Sequence, residues 1–162
     1  MLKRLRSLLH DSDGSAVLEA TVLTPVLFVL LFGVYEFSWY FYRQHVISTG
    51  VRDAARYLAR TSVNDPCLSS ANQTVAKNIA TLANGSARVA GWNASNVSIA
   101  CTPITKFACG ANTPCVLNSG PNVYIVTVST TYTPATLGFF EFLGFTAPSI
   151  AVSHQERAIG QG

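Results

Sequence analysis

From Ala16 to Tyr35 the chain reads AVLEATVLTPVLFVLLFGVY, apolar apart from Glu19, Thr21 and Thr24. About twenty such residues are what a helix needs to cross the hydrocarbon core of a bilayer. The run therefore predicts one membrane span over about 16–35 and leaves the rest of a 162-residue chain for one modest domain. Lys3, Arg4 and Arg6 precede the span and favour a cytoplasmic N-terminus, although Arg43, Arg52 and Arg56 follow closely and blur that count. Apart from the first six residues the chain carries 8 basic and 8 acidic side chains, which gives no footprint for nucleic acid.

Cys67, Cys101, Cys109 and Cys115 all lie on the C-terminal side of the span. No Cys-x-x-Cys pair is present, and His10, His45 and His154 are distant in sequence, so disulfides are favoured over a zinc site, and no metal or cofactor is expected. Four cysteines permit three pairings, and spacing does not choose among them; the favoured one joins Cys67 to Cys101 and Cys109 to Cys115. Disulfides require an oxidising compartment, which resolves the topology as N-terminus inside and C-terminal part outside the cytosol. A cleaved secretory signal is the competing reading. It would need small residues after the apolar run, where the chain instead has Glu36, Phe37, Ser38, Trp39, Tyr40, Phe41 and Tyr42, aromatics suited to a membrane-interface belt.

Glu19 is the most informative residue. A carboxylate inside a membrane segment costs on the order of 3 kcal/mol on insertion scales and needs a reason to persist. Five positions before it stands Gly14, in Gly14-Ser15-Ala16-Val17-Leu18-Glu19, after a short polar, basic leader and directly ahead of the apolar run. As isolated residues, Gly14 is a loop glycine and Glu19 an acid suited to the first turn of a helix. In this order and spacing the segment resembles a prepilin peptidase site. The resemblance implies cleavage between Gly14 and Ser15, with the apolar helix retained. The new α-ammonium of Ser15, with a pKa of roughly 8, would then be neutralised by Glu19 of a neighbouring subunit.

The resemblance continues through Pro25, Gly33, Glu36-Phe37 and Val51-Arg52-Asp53-Ala54-Ala55-Arg56-Tyr57-Leu58-Ala59-Arg60. Together these look like the TadE-like pseudopilins of the tight-adherence pilus system. The family likeness implies a bacterial inner-membrane, single-pass protein with its C-terminal domain in the periplasm. Its implied partners are a prepilin peptidase, other pilins or pseudopilins and the inner-membrane assembly platform, with Glu19 and Glu36 as assembly carboxylates. Ser15-Ala16-Val17-Leu18 lacks the aromatics that often follow the cleavage site in major pilins, which places a minor pilin ahead of a fibre-forming one. On this reading residues 1–14 are a leader, 15–62 the N-terminal helix and 63–162 a disulfide-containing periplasmic domain. Pro25 is expected to kink the span by removing one backbone donor.

Beyond the span, helical character is predicted from Glu36 to about Thr61, with Val46, Ala54, Tyr57 and Leu58 on one face and Gly50 as a weak point. Arg52, Arg56 and Arg60 form a basic stripe, read as solvated rather than as a partner or headgroup surface. After the break at Asn64-Asp65-Pro66, Ser70 and Gln73 have capping-box spacing, and Val75, Ile79 and Leu82 define the inner face of a second helix ending at Asn84-Gly85. Strands are predicted over Val97–Cys101, Val123–Thr133 and Ser149 to about Ala158. Residues 102–122 read as an irregular excursion. The Phe-rich stretch from Pro134 to Pro148 is too apolar for an exposed loop, and covering the domain's own core is the preferred of three roles, the others being membrane and partner contact. The Asn-x-Ser/Thr sequons at Asn72, Asn84, Asn93 and Asn96 are read as compositional.

The expected fold class is α+β, a long N-terminal helix continuing into a small domain with a second helix and a three-stranded antiparallel sheet. No catalytic constellation is found: Glu141, Glu156 and His154 are not tied together by any motif, so an enzyme is not expected. Two classes remain, a processed pilus-assembly component and an unprocessed signal-anchored periplasmic binding or scaffold protein.

Overall fold

The computed structural model describes residues 12–61, 65–105, 122–134, 138–142 and 144–159. Its dominant element is α1, a helix from Ser12 to Thr61 that is 50 residues long and therefore about 75 Å from end to end. The N-terminal half of α1 is exposed along its whole apolar length, with Leu18 and Leu31 each 69% exposed, whereas Ile47, Val51, Ala54, Ala55 and Leu58 in the C-terminal half are fully buried. Those five stand at positions i, i+4, i+7, i+8 and i+11, the spacing of one helical stripe. The stripe is rotated from the one predicted: Ala54 and Leu58 belong to it, while Val46 and Tyr57 pack on its rim.

The core against that stripe is α+β, as expected. A second helix, α2 (Ser70–Thr81), packs on α1, and a two-residue hairpin follows, β1 (Leu82–Ala83) with β2 (Ser86–Ala87). A 3₁₀ turn at Ala94–Asn96 leads into β3 (Val97–Thr105). Strands β4 (Asn122–Tyr132) and β5 (Ile150–Arg157) complete an antiparallel sheet in the order β3-β4-β5. Register places Val97 opposite Thr130 and Cys101 opposite Val126, then Tyr132 opposite Ile150 and Val126 opposite Glu156. Because side chains alternate across a strand, Val126, Val128, Thr130 and Tyr132 share the face that meets the helices, and all four are buried.

Three local expectations are corrected. The N-cap of α2 is Ser69, whose Oγ accepts from the Asn72 N–H, and Gln73 Nε2 turns back to donate to the Cys67 carbonyl at 2.7 Å. The buried face of α2 is Ala76, Ala80 and Thr81; of the face predicted, Ile79 is half-buried and Val75 and Leu82 are exposed, and where α2 meets α1 at Gly50 it does so through Ala80. The helix stops at Thr81, and Asn84-Gly85 is instead the tip of the β1–β2 hairpin, with φ of 51° and 79°. Positive φ at both central residues matches the right-handed twist of the paired strands.

Gly50 is likewise no weak point. The helix runs through it without interruption, and the missing side chain makes room for the Ala80 carbonyl oxygen and the ring of Trp92. Trp92 is buried between α1, α2 and β4, and its Nε1–H donates to Thr130 Oγ1 at 3.0 Å. Thr130 in turn donates to the Asn96 carbonyl at 2.8 Å, and the Tyr132 hydroxyl donates to the Ala90 carbonyl at 2.6 Å. The connector from Ala90 to Asn96 is thus tied to β4 by three side-chain bonds, one of which satisfies the indole N–H of its buried Trp92.

Candidate functional site

The residues singled out by sequence are strung along α1, except the cysteines, of which Cys67 and Cys101 lie in the domain beyond it. Gly14 and Ser15 lie in helical backbone near the start of α1. Glu19 follows one turn beyond Ser15, about 6 Å along the axis and on nearly the same face. It is exposed, and between Gly14 and Tyr35 it is the single charged side chain. Among the described residues, this is the one helix long and apolar enough to cross a membrane, with a mean hydropathy of 2.2 over its most apolar window.

Pro25 lies inside α1, which continues through it. Nearby hydroxyls turn back onto the backbone: Thr21 Oγ1 donates to the Val17 carbonyl at 2.7 Å and Thr24 Oγ1 to the Ala20 carbonyl. This keeps polar side chains satisfied within an apolar helix and is a geometry that tends to bend one. Just past the span, Trp39 stacks on Tyr42 with centroids 5.5 Å apart, and the Arg43 guanidinium lies over the Trp39 ring at 5.4 Å. Aromatic and basic groups here suit headgroup depth.

The two acids framing the span differ in environment. Glu36 is buried, and its Oε1 accepts from the Phe139 backbone N–H. Phe139 opens a single helical turn, α3 (Phe139–Phe142), and its ring stacks on Phe32 with centroids 5.2 Å apart. Gly138 makes this approach possible: its φ is +51°, and a Cβ there would lie 2.8 Å from Glu36 Oε1. Tyr40 adds a further tie, its hydroxyl donating to the Ser149 carbonyl at 3.5 Å. The described part of the Phe-rich stretch lies against α1 at Phe32 and Glu36, and Phe142 is 85% exposed; Leu137, Leu143 and the Phe140 side chain, on which the expected cover of the core also rests, lie outside the described residues. The bond between Glu36 and Phe139 was not legible, because the partners are 103 residues apart.

Cys67 and Cys101 are joined in a disulfide that ties the entrance of α2 to β3, with Cα atoms 5.9 Å apart. Asp65 approaches both sulfurs, but its Oδ1 accepts from the Cys67 N–H at 2.8 Å, and the paired sulfurs are not free ligands. Cys109 and Cys115 lie outside the described residues.

Of the basic stripe, Arg52 and Arg60 are exposed. Arg56 is not merely solvated: its Nε lies 3.4 Å from Glu156 Oε1 on β5, and His154 Nε2 lies 3.0 Å from the same oxygen. The His154 hydrogen bond, helped by Arg56 and opposed by partial burial, holds the Glu156 carboxyl below the usual carboxylate range. Asp53, one turn before Arg56, pairs with Arg88 at 3.3 Å.

Sequence reasoning missed the Gly50–Trp92 contact, although a signal was present. Gly50 and Ala54 on α1, and Ala76 and Ala80 on α2, are small residues four apart, a spacing that lets helix backbones approach closely. Residues 14–56 match the family model of TadE-like proteins, so the N-terminal part of the chain is similar to that family. No curated protein and no solved structure gives a significant match.

Proposed function

We propose, from the premise of a TadE-like N-terminal segment, that the protein is a minor pilin that takes part in assembling tight-adherence pili. A prepilin peptidase cuts between Gly14 and Ser15, and α1 remains as the inner-membrane anchor with the sheet domain in the periplasm. The chain acts by packing its helix among those of other pilins on the assembly platform, not by catalysis. The observation that carries this reading is the coincidence of boundaries: the family match begins at Gly14, the residue after which the leader would be removed. Glu19 stands five residues later on an exposed apolar helix. In that setting an exposed carboxylate is disfavoured unless a cation meets it, and the α-ammonium of Ser15 on an adjacent subunit has the matching charge. Glu36 is engaged by its own chain, which leaves the intersubunit role to Glu19.

The test is the mass of the protein produced with and without a prepilin peptidase. Loss of residues 1–14 only with the peptidase is the expected result, and Glu19→Ala should leave processing intact while reducing surface pili. An intact leader in both conditions, together with indifference to Glu19→Ala, would replace this reading with an anchored scaffold protein.

A further inference from the structure

We infer that the turn at residues 138–142, with Phe145 after it, is a second membrane contact whose phenylalanines enter the outer interface of the bilayer beside α1, with Glu36 as its latch. The inference rests on α1 spanning the membrane, as the proposed function has it.

Depth is the first observation. Phe139 stacks on Phe32, which lies about one helical turn inside the predicted end of the span, so α3 reaches the level of the apolar helix rather than the level of the sheet. Exposure is the second: Phe142 is 85% and Phe145 61% exposed, close in sequence to Phe139, whose ring stacks on Phe32 of the exposed apolar half of α1. The segment from Thr133 to Ser149 carries a single charge, Glu141. A patch of this kind that adjoins a membrane helix is best covered by lipid.

The backbone chemistry fits that occupant. An apolar medium demands that N–H groups be satisfied within the protein. Here the Phe139 N–H goes to Glu36, the Phe142 N–H to the Gly138 carbonyl at 3.3 Å and the Gly144 N–H to the Glu141 carbonyl at 2.9 Å. Glu141 is exposed and sets a limit to penetration, since its carboxylate belongs among headgroups rather than acyl chains. About one to two turns beyond Glu36 on α1 stand Trp39, Tyr42 and Arg43, an interfacial belt. Two contacts, one spanning and one half-inserted, would fix the rotation of the domain about the axis of α1.

The test uses the full chain in phosphatidylcholine vesicles. Trp39→Phe removes the interfacial indole, and Trp92 is buried in the core and shielded from both quenchers. Into that background are placed, one at a time, Phe142→Trp, Leu27→Trp as a reporter within the span and Leu68→Trp as an exposed reporter at the far end of the domain. Acyl-brominated phosphatidylcholine is expected to quench positions 142 and 27 several-fold more than position 68, with iodide showing the reverse order. If position 27 is quenched by brominated lipid while 142 is reached by iodide alone, the turn does not enter the bilayer, although α1 does. If neither 27 nor 142 responds to brominated lipid, the spanning reading itself fails. Shielding of 142 from both quenchers means that protein covers it, which also overturns the inference.

Discussion

Gly50 of α1 lies so close to the carbonyl oxygen of Ala80 on α2 that a Cβ at position 50 would overlap it, and the same Cβ would meet the Trp92 ring at 3.0 Å. Gly50→Ala therefore sets two effects against each other. Alanine improves helix propensity by about 1 kcal/mol, but overpacking against backbone, which has no rotamer to yield, costs about 1–3 kcal/mol. The substitution is expected to destabilise the domain, read as a lower denaturant midpoint by near-ultraviolet circular dichroism in detergent. A raised midpoint would show that the two helices separate without penalty.

Thr130 links the buried Trp92 Nε1–H to the half-buried Asn96 carbonyl. Thr130→Val keeps the shape and leaves both without their partner, at an expected loss of about 1–3 kcal/mol. Denaturant unfolding of Thr130→Val beside Thr130→Ser, which retains the hydroxyl, separates the bond from the methyl group. Equal losses in the two variants would contradict the assignment.

The Cys67–Cys101 disulfide closes a sequence separation of 34 residues. Its removal by the double substitution to Ser is expected to lower stability by about 2–4 kcal/mol, by widening the unfolded ensemble. The free entrance of α2 should then be the first segment to exchange amide hydrogens. Unchanged exchange there would show that the Ser69 cap and the Gln73 bond suffice to hold it.

The Glu156 carboxyl is held below its ordinary value of 4.5 by His154 and Arg56. A carboxyl with a depressed folded pKa binds fewer protons folded than unfolded, so its contribution is fully present above the ordinary value and is lost as pH falls through the lower folded one. Glu156→Gln should therefore narrow its melting-temperature deficit against the parent as pH drops from about 6 to about 3. A deficit that stays constant over that window would mean that the loss comes from packing rather than charge.

Glu36→Ala removes the acceptor for the Phe139 N–H while leaving the sheet core untouched. The expected outcome is greater iodide access to a tryptophan at position 142 with little change in the unfolding midpoint of the domain. A large fall in stability would make Glu36 part of the core rather than a latch.

Much of this architecture was readable because it is written in short-range periodicity. The apolar run, the alternating strands at residues 97–101 and 123–132 and the break at Asp65-Pro66 each depend on neighbours within a few residues, although β3 continues to Thr105, four residues into the stretch read as irregular. The errors have one cause. At Ser69 and Ser70, Val75 and Ala76, and Asn84-Gly85, two local patterns were compatible with the residues, and the choice fell to a surface contributed from elsewhere in the chain. Val75 is the better helix-face hydrophobe by size, yet the buried face of α2 carries Ala76 and Ala80, and Ala80 is where α2 meets Gly50.

The same division holds for the candidate site. Gly14, Ser15, Glu19 and the span are a linear signal, and their order and spacing along one helix determine it without reference to any other element. The engagement of Glu36, the burial of Trp92 and the direction of the Phe-rich turn were settled only by folding. Each is a contact between residues tens of positions apart, and its energy depends on packing that no local window contains.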